Sequence, residues 1–307
     1  MSLMKLQFRP GINRDVTAYA GEGGWHDCDK IRFRSGFPES IGGWTRLTDT
    51  AFVGACRKLH PWTTLSGQSL IFLGTNLHTY INRGSGLFDI TPIRLTTTGT
   101  ATISATDGSN VITITDNASN CFLNDFVIIS GAVSLGGNIT ADVLNTEHQI
   151  TRVIDGNEYE ITLGVTANAS DTGNGGGSTQ IEYEITTGLD TSVVGAGWGT
   201  DPWSASGWGD PGTTTISGAQ LRVFGADNFG EDLIFNVHDG GIFYWDASAG
   251  LNSRAVALED LVGANSTPTV AKNVMISDRD RHIIALGCDD EFTPGVQDPL
   301  LIRFSSQ

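Results

Sequence analysis

Residues 70–80 read LIFLGTNLHTY, and residues 233–244 read LIFNVHDGGIFY. Each is an apolar run, a turn rich in Gly, Asn or Asp, and a second run that carries a tyrosine. A short apolar run bounded by turn residues is the mark of a buried strand. A third unit pairs His282–Gly287 with Leu300–Phe304. Every first strand follows a polar corner: Ser66-Gly67-Gln68, Asn228-Phe229-Gly230-Glu231 and Ser277-Asp278-Arg279-Asp280. Hairpins that recur with aromatic and glycine marks point to β-propeller blades rather than to a chance likeness between hairpins of a sandwich.

The rest of the chain reads as β as well. Val111-Ile112-Thr113-Ile114-Thr115 is β-branched throughout, and Phe126–Ile129 and Tyr159–Leu163 follow it. Asp107-Gly108, Ser130-Gly131 and Asp155-Gly156 punctuate these runs, and Asp-Gly supplies the positive φ of a hairpin turn. Glycine makes up 39 of 307 residues, about 13 %, against a usual ~7 %, as a turn-rich chain requires. Ala257–Val262, ending at Gly263, is the best helix candidate and is too short to form a layer. The fold class is therefore all-β.

Charge divides the chain into blocks. The whole carries a net charge of -16, yet residues 1–60 are net +3 and residues 95–212 are net -13, with Arg152 as their one base. This suggests an N-terminal arm over 1–45, blade-like segments at 46–94 and 213–307, and an inserted acidic β-barrel or sandwich module at 95–212. The insert ends in a Gly/Trp tract in which Trp198, Trp203 and Trp208 recur every five residues. That spacing fits neither helix nor strand. It suits a loop whose rings pack onto neighbouring domains or onto a partner. The segments outside the arm and insert amount to about three blades at ~40–50 residues each. A ring takes ~4–8, so the propeller is expected to be incomplete in this chain.

Several function classes are poorly served. No apolar run nears the ~20 residues of a membrane-spanning helix, so no membrane insertion is expected. The acidic balance does not suit a generic nucleic-acid surface. Cys28, Cys56, Cys121 and Cys288 lie far apart without a CxxC pair, against a disulfide scaffold or a zinc ribbon. Gly173–Gly177 lacks the spacing of a phosphate loop. The six histidines are scattered, and Asp278, Asp280, Asp289 and Asp290 follow no calcium-loop spacing and read as solvated turn acids. No catalytic residue, metal site or cofactor is assigned, and the chain is expected to be non-enzymatic. Paired carboxylates from distant strands are invisible to sequence spacing.

The N-terminal arm is the most distinctive stretch. Lys30, Arg32 and Arg34 alternate with Ile31 and Phe33. A strand would place the three cations on one face. They are either a charged edge that prevents strand pairing or a stripe that docks on an acidic subunit or adaptor.

PGINRD (10–15) and WHDCDKIRFRSGFPESIGGW (25–44) resemble the opening of virion structural proteins of tailed bacteriophages, short-tailed ones especially. Residues 228–235, 240–246 and 277–282 resemble the same group, and NDFVIISG (124–131) and HQIT (148–151) are similar to small β modules of phage tail proteins. Within that group the architecture best resembles the tail nozzle, or DNA-stabilisation protein. The resemblance implies a ring of self-associating propeller subunits, a hexamer, in the virion tail below portal and adaptor, through which genomic DNA passes without specific binding. An acidic channel wall fits that passage. Two other readings remain open: a carbohydrate-binding host-recognition protein at the tail tip, and a glycan hydrolase on a propeller.

Overall fold

The structure is a computed structural model that describes residues 9–17, 19–43, 45–171, 178–186, 223–277 and 279–306. Residues up to Leu47 form one unit and those from Thr48 another. In the first, β1 (Ile31–Arg34) and β2 (Phe37–Ser40) make an antiparallel hairpin. Its two-residue turn, Ser35-Gly36, has positive φ at both positions, the twist that suits a tight hairpin. Ile31 and Phe33 are half-buried and Arg32 and Arg34 exposed, as period two requires.

The second unit opens with a four-stranded meander of β3 (Cys56–Thr63), β4 (Ser69–Thr75), β5 (Thr79–Arg83) and β6 (Gly86–Asp89). The chain then enters a curled seven-stranded antiparallel sheet. Its strands are β7 (Ile93–Thr98), β8 (Thr102–Ala105), β9 (Val111–Thr115), β10 (Phe126–Ser130), β11 (Glu147–Val153), β12 (Glu158–Thr162) and β13 (Gln180–Glu184), with the one-turn helix α1 (Ala141–Leu144) between β10 and β11. A second meander follows: β14 (Phe224–Phe229), β15 (Asp232–Val237), β16 (Ile242–Trp245) and β17 (Val256–Ala257). The third holds β18 (Ala271–Ile276), β19 (Ile283–Cys288) and β20 (Ile302–Phe304).

The three meanders stack as propeller-like blades, and β15 shows why. Leu233, Phe235 and Val237 join Leu70, Phe72 and Ile81 of the first blade in one apolar cluster. Ile234, on the opposite face, joins Val274, Ile276 and Ala285 of the third blade in another. A strand covered on both sides must be apolar nearly throughout, which is why this segment reads as a continuous run. Aromatic rings fill the first interface, with Phe72 and Phe235 4.9 Å apart and Trp62 and Trp245 6.5 Å apart. Trp62 donates its ring N–H to the Glu231 carbonyl at 2.9 Å, so the polar end of a buried indole is satisfied.

The second interface carries a polar bridge. Asn236 is fully buried; its Nδ2 donates to the Ala271 carbonyl at 3.0 Å and its Oδ1 accepts from Val274 N–H at 3.2 Å. Asp227 accepts from Ile276 N–H at 2.9 Å. β18 is an edge strand of its own sheet, so these side chains occupy main-chain groups that would otherwise template another strand. A methyl group on Gly225 would lie 2.1 Å from Asn273 Oδ1 and 2.3 Å from Asn236 Oδ1, so only glycine fits beside the bridge.

In the seven-stranded sheet, β9, β10 and β12 alternate buried and less buried positions along one apolar face. Ile112, Ile114, Val127, Ile129, Tyr159, Ile161, Ile181 and Tyr183 build a separate core there. Its first and last strands, β7 and β13, pair with each other, and Ile185 N–H donates to the Pro92 carbonyl at 3.0 Å. The chain thus leaves and re-enters the blades at adjoining points, with the sheet beginning at Ile93 rather than at 95.

Two sequence expectations are corrected. Ala257–Val262 is not a helix: Ala257 pairs with Phe243 at the sheet edge and only Leu258–Asp260 make a 3₁₀ turn, so tertiary pairing overrides propensity. Asp289 is not a solvated acid: it is buried, and accepts from Thr269 N–H at 3.0 Å and Gly295 N–H at 2.8 Å.

Replacing Asn236 by Ala strands Val274 N–H and the Ala271 carbonyl without a partner. We expect urea denaturation of the full chain to lose about 2–4 kcal/mol at an unchanged m-value. A loss under about 0.5 kcal/mol, the scatter of neutral surface changes, would show that the bridge contributes little.

Candidate functional site

Ionisable groups concentrate where the first blade, the inserted sheet and the second blade meet. His78 sits between β4 and β5, and Thr75 fixes its backbone: Oγ1 accepts His78 N–H at 2.8 Å and donates to the His78 carbonyl at 2.9 Å. The ring lies 4.1 Å, centroid to centroid, from Phe126 of the inserted sheet. Glu184 ends β13. Alternation places it on the side opposite Tyr183, and a register shift falls between the two. His78 and Glu184 side chains are each only 1 % exposed.

Asp89 ends β6. Its Oδ1 accepts from Thr91 N–H at 2.8 Å and Thr91 Oγ1 at 2.6 Å, a local turn that leaves Oδ2 facing the site. Arg254 reaches in from the second blade. One guanidinium nitrogen donates to Glu184 Oε1 at 2.5 Å and to the Thr91 carbonyl at 2.7 Å; the other lies 3.4 Å from Asp89 Oδ2. Glu147 opens β11. One donor atom from each of His78, Asp89, Glu147 and Glu184 lies within 4.8 Å of all the others.

Three carboxylates thus face one guanidinium and one imidazole. Desolvation, then the charge of Glu184, pushes the Glu147 carboxyl up to about 7. Burial disfavours the His78 imidazolium, but the close Glu184 oxygen and the charges of Glu184, Asp89 and Glu147 outweigh it and raise the His78 pKa. Glu184 Oε2 lies 3.2 Å from His78 Nδ1, an ion pair when the ring is protonated. Glu184 Oε2 and both ring nitrogens of His78 have no hydrogen-bond partner in the structure. The donor set could hold a cation. As a hydrolytic pair the carboxylates are badly placed, because a catalytic carboxylate must touch substrate and Glu184 is sealed.

A separate groove of about 460 Å³ lies between the second and third blades, lined by Ile242, Leu258, Pro268, Ile283, Arg303 and Phe304 among others. No carboxylate lines it, and Arg303 is tied to the carbonyls of Asp289 and Ser266.

The residues singled out from sequence lie elsewhere. Arg32 and Arg34 share the exposed face of β1, and Arg32 forms a 2.5 Å ion pair with Glu39 across the hairpin. Lys30 precedes the strand in left-handed backbone, φ 56°, and stands 4.0 Å from Asp29. It therefore does not continue the alternation of the stripe. Trp198, Trp203 and Trp208 lie outside the described residues. The sequence reading left His78 among the scattered histidines. Its partners are 11, 69 and 106 positions away, so spacing carries no signal; the available clue was an acid closing an alternating strand, QIEYE.

The sequence matches no protein family and no curated protein. Among solved structures, a phage phi92 endosialidase aligns with 81 % of this chain and 36 % of its own, at 12 % identity and a TM-score of 0.26. The present chain thus spans little more than a third of that protein, and so low a score bears on neither fold nor activity. No helix of the described residues is long and apolar enough to cross a membrane.

The raised Glu147 pKa sets a pH dependence. The unfolded chain releases this proton near 4.5 and the folded chain near 7, so folding loses stability as pH rises between them. A raised His78 acts in the same direction above 6.5. His60 and His148, pushed down by burial, act oppositely, since their buried neutral rings must charge as pH falls. The contribution of Glu147 is therefore read by difference. The stability of Glu147→Gln relative to wild type should climb from pH 4.5 to 7 and then level off in chemical denaturation series. A constant difference across that range would show that Glu147 titrates as an ordinary surface acid.

Proposed function

We propose that this chain is a structural subunit of a bacteriophage tail nozzle, assembling as a ring, a hexamer, around the DNA exit channel below the portal and adaptor. The observation that carries the reading is the outer side of the third blade, which no described residue covers. Met275, Ile284 and Phe304 stand in one cross-strand row and Leu286 and Ile302 in the next, with Met275 45 %, Ile302 61 % and Phe304 74 % exposed. A sheet face of this kind is what a further blade or another subunit covers. The basic hairpin and the net charge of -13 over residues 95–212 supply opposite signs for such contacts. The sequence resemblance to short-tailed phage virion proteins supports the location. An acidic lining lets DNA pass, since retention would need cations along the path.

Purified tails should show the chain as a closed ring with one copy per symmetry position. A single copy per tail would overturn the reading, and release of reducing sugar from host glycans or binding on a glycan array would replace it with a hydrolase or a host-recognition protein. Replacing Lys30, Arg32 and Arg34 together by Glu should block incorporation into particles while circular dichroism and melting stay unchanged. Charge at an interface rim acts chiefly on association rate and salt response. Normal incorporation of the triple variant at every salt concentration would leave the stripe as a solvated strand edge.

A further inference from the structure

We propose that His78, Asp89, Glu147 and Glu184 bind one divalent transition-metal ion, of the Zn²⁺ or Mn²⁺ kind, which ties the inserted sheet to the first blade. The four donor atoms lie within 4.8 Å of one another, slightly beyond the span of a bound set, so the side chains must close by a few tenths of an ångström on binding. Ligands bound at ~2.0–2.2 Å to a common ion cannot stand further apart than about twice that length.

The surroundings orient the donors as a metal site requires. Asp89 commits Oδ1 to Thr91 and Glu184 commits Oε1 to Arg254, which leaves Glu184 Oε2 turned inward beside Asp89 Oδ2, itself held by Arg254 at 3.4 Å. Such outer contacts fix ligand direction in metal centres. Thr75 holds the backbone of His78 and Phe126 flanks its ring.

The independent sign of a ligand is a set of buried polar atoms without a hydrogen bond. His78 and Glu184 are 1 % exposed, yet Glu184 Oε2 and both His78 ring nitrogens make none; Oε2 and Nδ1 face each other at 3.2 Å, and Nε2 has no partner of its own. A buried polar atom without a hydrogen bond keeps its desolvation cost, and coordination of Oε2 and one ring nitrogen by a cation would remove it. Charge gives the valence. Arg254 balances one of three carboxylates, which leaves two negative charges for a dication. An imidazole among carboxylates favours Zn²⁺ or Mn²⁺ over Mg²⁺ or Ca²⁺, whose sites are built of oxygen alone. Glu147, the exposed member, marks the side open to solvent.

The test is a titration of the full-length chain, stripped with chelator, with Zn²⁺ and with Mn²⁺, followed by calorimetry and, for Mn²⁺, by loss of the free-ion paramagnetic resonance signal. Bound Mn²⁺ distinguishes this site from adventitious zinc on Cys28 or Cys56, because thiolates do not favour manganese. We expect one ion per chain, a higher melting temperature with metal, and affinity lower by at least about 10-fold in Glu147→Gln. His78→Gln should abolish binding; because its ring is buried, Glu147→Gln is the variant that decides if the former does not fold. No uptake of either ion at millimolar concentration would overturn the proposal and leave Arg254 as the cation of the cluster. Uptake by Glu147→Gln as tight as by wild type would overturn it equally.

Discussion

Burying a strand on both of its faces is the constraint from which the blade stack follows. β15 sends Leu233, Phe235 and Val237 to one neighbour and Ile234 and Asn236 to the other, and no side chain of its central part reaches water. The price of that position is that any polar atom must find a fixed partner. Asn236 meets it by bonding the main chain of the next blade, and in doing so converts a nondirectional apolar contact into a register. Apolar burial alone would let the third blade slide along the second; the carbonyl of Ala271 and the N–H of Val274 can satisfy Asn236 in one alignment. The close approach at Gly225 belongs to the same device, since a side chain there would displace the Asn236 amide.

The inserted sheet obeys a different rule. It has its own apolar core, so its joint with the blades need not supply its folding energy. Arg254 provides much of the polar connection, spanning the second blade, the Thr91 carbonyl that follows the first, and the buried Glu184 that closes the insert. Ion pairs of this kind contribute modest net stability, because desolvation offsets their attraction, but losing one partner is costly. Apolar contact between blades fixes how they stack; charge at this joint fixes where the insert attaches.

Much of the scaffold is legible in the sequence because it depends on local pattern. Val111–Thr115 is β-branched at every position and became β9; LIF at 70–72 and at 233–235 marks the two doubly buried strands. β18 escaped because Lys272 and Asn273 interrupt its apolar pattern, and its partners on the other side are an amide and a carboxylate rather than a strand. The ionic joint was invisible for a deeper reason. Its members come from five turns or strand ends between residues 78 and 254, and each is unremarkable in its own neighbourhood. Asp89 looks like a turn acid and His78 like a lone histidine until the chain returns twice to the same point.

The three-way joint also concentrates the sensitivity of the molecule to its surroundings. The two blade interfaces are built chiefly of aliphatic and aromatic groups, with Asp227 bonded to Ile276 N–H and His60 held below its ordinary value by burial. At the joint, burial and then the charge of Glu184 push the Glu147 carboxyl up to about 7, and Glu184, Asp89 and Glu147 together hold His78 above its ordinary value against its burial. Each proton bound there weakens the repulsion among carboxylates that press on one guanidinium. A change in proton concentration that acts on the attachment of the acidic sheet has its physical origin where Glu184 lies buried between Arg254 and His78.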